Sequence, residues 1–204
     1  MIRRLSVIGL ACVLTACANE GSSSEREAAT STETPEAAPK FARLDQGFDT
    51  PFPGHETQIV IGKDDLPARL ALLEVEVAPR SIGAPPHRHS NEDEVFIVTE
   101  GAVTFLNGEK EVEASAGAVA SLPRGHFHGF WNPHDEPARM LLAIAPGEFD
   151  DFFDEVVQQI RTENADNPES IGRIIGEAAQ ARGVTVDPTR FPASAKELMG
   201  PSPG

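Results

Sequence analysis

Four of the six histidines in this 204-residue chain fall between positions 83 and 132, and three of them are spaced as metal ligands. His87 and His89 are two apart. Side chains alternate along a strand with period two, so both imidazoles point to one face and can offer nitrogens to a single ion. Glu94 follows five residues later at the head of Glu94-Val95-Phe96-Ile97-Val98, a β-branched and aromatic run that reads as a buried strand with a carboxylate at its mouth. After the turn signal Pro123-Arg124-Gly125, His128, Phe130 and Asn132 alternate with Gly129 and Trp131, so His128 can complete a set of three imidazoles and one carboxylate. Glu92 and Asp93 flank Glu94, and either replaces it if the register shifts. Such a set places one negative charge around one divalent transition metal and suits Fe, Mn, Ni, Co, Cu or Zn without choosing among them. A redox-active ion there brings oxygen chemistry within reach, whereas an inert one acts as a Lewis acid.

The stretches GAPPHRHSNEDEVFIVTEG (83–101) and GAVASLPRGHFHGFWN (117–132) resemble the paired motifs of the cupin superfamily, G-x5-HxH-x3,4-E-x6-G and G-x5-PxG-x2-H-x3-N. His87, His89, Glu94 and Gly101 fit the first, from which only Gly83 departs by standing too close to His87. Gly117, Pro123, Gly125, His128 and Asn132 fit the second throughout. The resemblance implies an all-β double-stranded β-helix holding a divalent metal through His87, His89, Glu94 and His128. With the APGEFDDFF segment that follows, the wording is most similar to the quercetin 2,3-dioxygenase-like group over about residues 55–185. That implies a dioxygenase-type oxidoreductase acting on a small organic compound, phenolic or flavonol-like, with Glu94 also able to take a proton from a substrate hydroxyl. A non-catalytic metal-binding or small-ligand-binding module and a metal-dependent isomerase or lyase stay open as alternatives. His126 shares the parity of His128 and is a candidate acid–base residue, the alternative being a solvent-facing turn residue. The family's habit implies a homodimer.

Short strands must position these residues. Thr57–Ile61, Arg69–Val77, Ala102–Leu106, Glu109–Glu113 and Ala138–Ala145 have strand character, and Pro79, Gly83, Pro85 and Pro86 break the pattern just before the histidine pair. Asn107-Gly108 predicts a type I′ hairpin, with Val112 and Val119 turned to the core. The period then changes to about 3.6. Phe149, Phe152, Phe153, Val156, Val157 and Ile160 mark one helix, and Asn167-Pro168-Glu169 starts a second that carries Ile171, Ile174 and Ile175 and stops at Gly183. These two C-terminal α-helices are expected to pack on the barrel or along a dimer seam. The alternative is a lid, with Phe152 or Phe153 lining a substrate site. Phe96, Phe130 and Trp131 read as packing or as an aromatic pocket wall, and His55 and His134 as surface histidines.

A net charge of −15 argues against nucleic acid as a partner, since phosphate contacts need clustered Lys and Arg. Arg3 and Arg4, then the apolar run Leu5 to Leu14, form a signal peptide too short to span a bilayer, and Leu14-Thr15-Ala16-Cys17 resembles a lipobox. That implies cleavage before Cys17, lipid attachment to it, and a membrane-anchored, extracytoplasmic protein, at the outer membrane facing the periplasm in a Gram-negative host. Cys12 and Cys17 are the only cysteines, so the globular part must bind metal through nitrogen and oxygen. The predicted organisation is a signal peptide over 1–16, a disordered linker over 17–40, a barrel over 41–147, helices over 148–185 and a tail over 186–204.

Overall fold

Alternation of buried and exposed residues runs through most of residues 50–145, which fold as ten strands: β1 (Thr50–Phe52), β2 (His55–Ile61), β3 (Ala71–Val77), β4 (Ser81–His89), β5 (Asp93–Glu100), β6 (Ala102–Asn107), β7 (Lys110–Ser115), β8 (Val119–Leu122), β9 (His128–Asn132) and β10 (Ala138–Ala145). The structure, a computed structural model, describes residues 37–199. The predicted signal peptide, Cys17 and most of the predicted linker lie outside the described residues.

The strands form two antiparallel sheets, ordered β1-β2-β3-β10-β5-β8 and β4-β9-β6-β7, the second extended beside β4 by β11 (Val184–Val186). On β10 every second residue is buried, and Ala138, Met140, Leu142 and Ile144 meet Leu73, Val75, Phe96, Phe105 and Phe130 in a core between the sheets. Full burial of a large apolar side chain contributes about 1.5–3 kcal/mol, so this shared face holds the sheets together. The architecture is the predicted all-β double-stranded β-helix with C-terminal helices.

Those helices are α1 (Phe152–Glu163), α2 (Pro168–Ala181) and α3 (Ala193–Leu198). α1 buries Phe152, Phe153, Val156 and Val157, and its approach is tied to the β2–β3 loop by Asp150, whose carboxylate accepts from the Lys63 backbone and ammonium, both at 2.8 Å. α2 starts as its sequence predicts, with Asn167 Oδ1 accepting from Ser170 N at 3.0 Å and Pro168 in the first turn. No described helix is long and apolar enough to cross a membrane.

Two expectations about the strands need correcting. Val112 and Val119 are 47% and 65% exposed rather than in the core. β7 and β8 are sheet-edge strands: Val119 pairs with the exposed Ile97, while Ala114 supplies the buried position on β7. The β6–β7 hairpin pairs Asn107 with Lys110, leaving Gly108-Glu109 as the loop, and only Gly108 has positive φ, +66°. That fits a type II′ rather than a type I′ turn. Regular structure also continues beyond residue 185, because Phe191 and Ala195 pack on Leu106 and Trp131 as a second small core.

Candidate metal centre

β4 and β9 pair so that His87 lies opposite His128, and β5 enters from the other sheet with Glu94 at its second residue. Two glycines make this geometry possible. A Cβ on Gly83 would fall 2.1 Å from the Phe130 ring, so only glycine lets β4 lie against that phenylalanine. Gly125, at φ +78°, turns the chain so that its N–H donates to the His89 carbonyl at 2.7 Å, anchoring the turn before His128 to the end of β4.

The structure brings His87, His89, Glu94 and His128 together, with one ligand atom from each lying within 4.8 Å of all the others. An ion with bonds of about 2.1 Å holds its donors about 3–4.2 Å apart, so the set closes once the side chains draw in around it. His89, Glu94 and His128 are buried and His87 is half-buried. Each ring is held by its other nitrogen: Nδ1 of His87 donates to the Pro85 carbonyl at 2.8 Å, Nδ1 of His128 to the His126 carbonyl at 3.0 Å, and Nδ1 of His89 to Glu92 Oε2 at 3.0 Å. Carbonyls accept only, so in the neutral rings the Nε2 atoms carry lone pairs. His89 Nε2 is buried with no hydrogen-bond partner among the described residues, and His128 Nε2 lies 2.8 Å from Glu94 Oε2. Lone pairs and a carboxylate converging on one point call for a cation, and the donor set fits a divalent transition metal.

Burial pushes His87 down to about 3, helped by the neighbouring His128, so the ring is neutral at physiological pH. Burial opposes ionisation of Glu94, but the contact with His128 Nε2 and the nearby histidines outweigh it and hold the carboxyl at about 2. Burial likewise opposes the charged form of His89, but its contacts with Glu92 and Glu94 raise it.

Of the alternatives at Glu94, the buried Glu92 acts through His89, and Asp93 faces outward, where Arg124 binds it at 2.6 Å and lowers it to about 2. His126 is exposed with its Nε2 3.1 Å from Asn107 Oδ1, and its backbone carbonyl is what reaches the cluster, through His128. Asn132 is fully buried and structural: its amide donates to the Val77 and Glu136 carbonyls and accepts from His134 N. Replacing Glu92 by glutamine is expected to weaken metal binding about 10–100-fold by loosening and de-polarising His89, measurable by competition with a chelating indicator. An unchanged affinity would assign Glu92 to packing alone.

His87 and Glu94 form part of the wall of a cavity of about 290 Å³. The rest is almost wholly apolar, with Phe96, Phe130, Phe149, Phe152 and Phe153 around it and α2 presenting Gly172, Ile175, Gly176 and Ala179. Phe149 also meets His89 edge-on at 4.7 Å, so the cluster is walled by aromatic rings on this side.

His55, predicted at the surface, is instead 6% exposed and forms part of this wall. The short hairpin β1–β2 folds it inward onto Phe52, a long-range consequence that its Pro-rich surroundings do not reveal. Burial lowers His55 to about 4, against a backbone hydrogen bond with Glu56 that raises it. An unfolded histidine titrates near 6.5, so below that pH the unfolded chain takes up a proton that the native chain refuses. The contribution of the neutral ring to stability is full above about 6.5 and is lost as pH falls towards 4, by roughly 3 kcal/mol. Denaturant unfolding at pH 7 and 4.5 should therefore show a smaller acid loss in His55→Phe than in the wild type; equal losses would contradict it.

Residues 73–144 match the family model described as Cupin domain. The match runs from β3 into β10 and contains all four residues of the cluster; together with the two-sheet barrel it supports the cupin superfamily. No curated protein matches the chain. Among solved structures, KdgF from Halomonas sp. is 18% identical, covering 55% of this chain and 98% of that one with a TM-score of 0.49. The polyketide cyclase RemF from Streptomyces resistomycificus is 27% identical, over 53% of this chain and 80% of its own, with a TM-score of 0.46. A predicted oxalate decarboxylase from Thermotoga maritima is 19% identical, over 52% and 98%, with a TM-score of 0.47. These names span different chemistries, and none selects a reaction for this chain.

Proposed function

We propose that the protein is a metal-dependent cupin oxidoreductase of dioxygenase type acting on a small, aromatic, phenol-like compound. The observation that carries this reading is the junction of a buried three-histidine, one-carboxylate cluster with an apolar, phenylalanine-walled cavity of about 290 Å³. Apolar pockets with a few convergent polar groups take small organic ligands, and here the polar groups are the metal ligands themselves. A bound redox-active ion would supply the electron transfer between an aromatic ring and dioxygen.

The remaining work falls to the chain's own residues. The phenylalanine rings exclude water and orient a flat substrate against the cluster. Glu94, ionised at neutral pH, offers a carboxylate oxygen to a substrate hydroxyl at the cavity wall. The Pro85 and His126 carbonyls and Glu92 keep the three imidazoles in one tautomer.

Oxygen uptake by the metal-loaded protein across flavonols and simple phenols tests this reading. Uptake dependent on both phenol and metal supports it. Tight binding without turnover would favour a ligand-binding module, and product formation without oxygen an isomerase or lyase. The same proposal places the protein outside the cytoplasm, anchored to a membrane by lipid on Cys17 and forming a homodimer. Metabolic fatty-acid labelling that persists in Cys17→Ser would refute the anchor, and a monomer in light scattering would refute the dimer.

A further inference from the structure

β2 begins with an imidazole that the metal cluster does not use. His55 stacks on Phe52 at 5.0 Å, meets Phe153 edge-on at 5.5 Å and has Phe130 at 6.1 Å, an aromatic cage at 6% exposure. Its Nδ1 lies 2.9 Å from Thr57 Oγ1. The ring also meets the Glu56 backbone; Nε2 has no side-chain partner among the described residues, and His55 forms part of the cavity wall. A polar atom in such a cage is costly unless something pairs with it, and phenylalanine would fill the space without that cost.

Its place is at the other end of the cavity from the metal ligands. Glu94 pairs with Ile144 on β10; four residues further along β5, Val98 shares Met140 with a row that continues through Val75 to Thr57. His55 lies two residues beyond Thr57 at the start of β2. Along the sheet, therefore, it stands about six residues from the row of Glu94, at the opposite end of the strands. Between them the wall is Val75, Leu142, Phe96 and Phe130, with no polar side chain.

We infer that His55 is a second polar anchor of the cavity, and that the ligand is an aromatic-sized apolar molecule with polar groups at both ends, one facing the His/Glu cluster and the other hydrogen-bonded to His55 Nε2. The inference rests on the reading of that cluster as a metal centre fronting this cavity. The Thr57 hydroxyl either donates to or accepts from Nδ1, so it holds the ring while leaving Nε2 free to accept from a hydroxyl or donate to a carbonyl. A ligand polar at one end only leaves Nε2 unpaired, and sites with buried hydrogen-bonding groups discriminate strongly against analogues that fail to satisfy them.

The test compares 2-naphthol with 2,6-dihydroxynaphthalene, titrated calorimetrically into the metal-loaded wild type, His55→Phe and His55→Gln. The diol is expected to bind the wild type about 10-fold more tightly, one net hydrogen bond's worth. In His55→Phe the ratio should fall to about 1 with 2-naphthol binding retained, and in His55→Gln part of the preference should return. Thermal melting checks that both variants fold, and the glutamine variant alone suffices if the phenylalanine variant does not. An equal ratio in wild type and variant, the absence of a diol preference in the wild type, or failure of both probes to bind metal-loaded protein overturns the inference. Failure to load metal instead overturns the reading beneath it, and the probe ratio on the metal-free chain then decides the anchor separately.

Discussion

Glutamine in place of Glu94 is expected to lower the affinity for a divalent transition ion at least about 100-fold, or about 3 kcal/mol, while the barrel stays folded. Glu94 is the one anionic member of the cluster. A doubly charged ion moved from water into a site walled by Phe149 and other apolar groups must recover its lost hydration from its ligands, and three neutral imidazoles supply no compensating charge. Glutamine keeps the shape and one oxygen donor, so the loss isolates the charge. Thermal melting of the metal-free variant checks the fold separately, because the lowered Glu94 carboxyl and its contact with His128 at 2.8 Å themselves contribute stability at neutral pH. Competition titration with a chelating indicator reads the effect, and wild-type affinity in Glu94→Gln would remove the carboxylate from the ligand set.

Gly172 and Gly176 are expected to show stability and ligand binding moving in opposite directions. Both lie inside α2, where glycine costs about 1 kcal/mol relative to alanine. Both line the cavity, and a Cβ built on either meets no atom within 4 Å. Each alanine variant should therefore raise the melting temperature by about 2–4 °C, since nothing must move to admit the methyl group. Leucine at Gly176 should instead fill the space and weaken 2-naphthol binding by about 100-fold, with metal affinity unchanged. Destabilised alanine variants, or a leucine variant that binds the naphthol normally, would show that α2 only covers the barrel and does not gauge its contents.

The four residues of the cluster were legible because their signal is local. His87 and His89 share a strand face by parity alone, and Glu94 was separable from Glu92 by its distance to Gly101, where the chain turns at positive φ before β6. The capped start of α2 was legible for the same reason, as was the helical phenylalanine stripe, whose Phe152 and Phe153 turn out to serve the cavity as well as the core. What escaped depends on neighbours distant in sequence. His55 becomes a wall residue only because β1 folds Phe52 back over it and α1 brings Phe153 to its edge. Glu92 supports His89 only because β5 begins where the end of β4 can reach it. Val112 and Val119 have the apolar character of core residues, but on edge strands nothing covers them.

Whether the four-residue cluster is a metal centre is read by elemental analysis of the protein purified without chelators or a histidine tag, beside His128→Ala. Close to one equivalent of a divalent transition metal is expected in the wild type, bound as purified or on reconstitution, and its loss in the variant. A wild type that binds no metal under either condition, or a variant that retains the full equivalent, would contradict the assignment of the cluster as a metal centre.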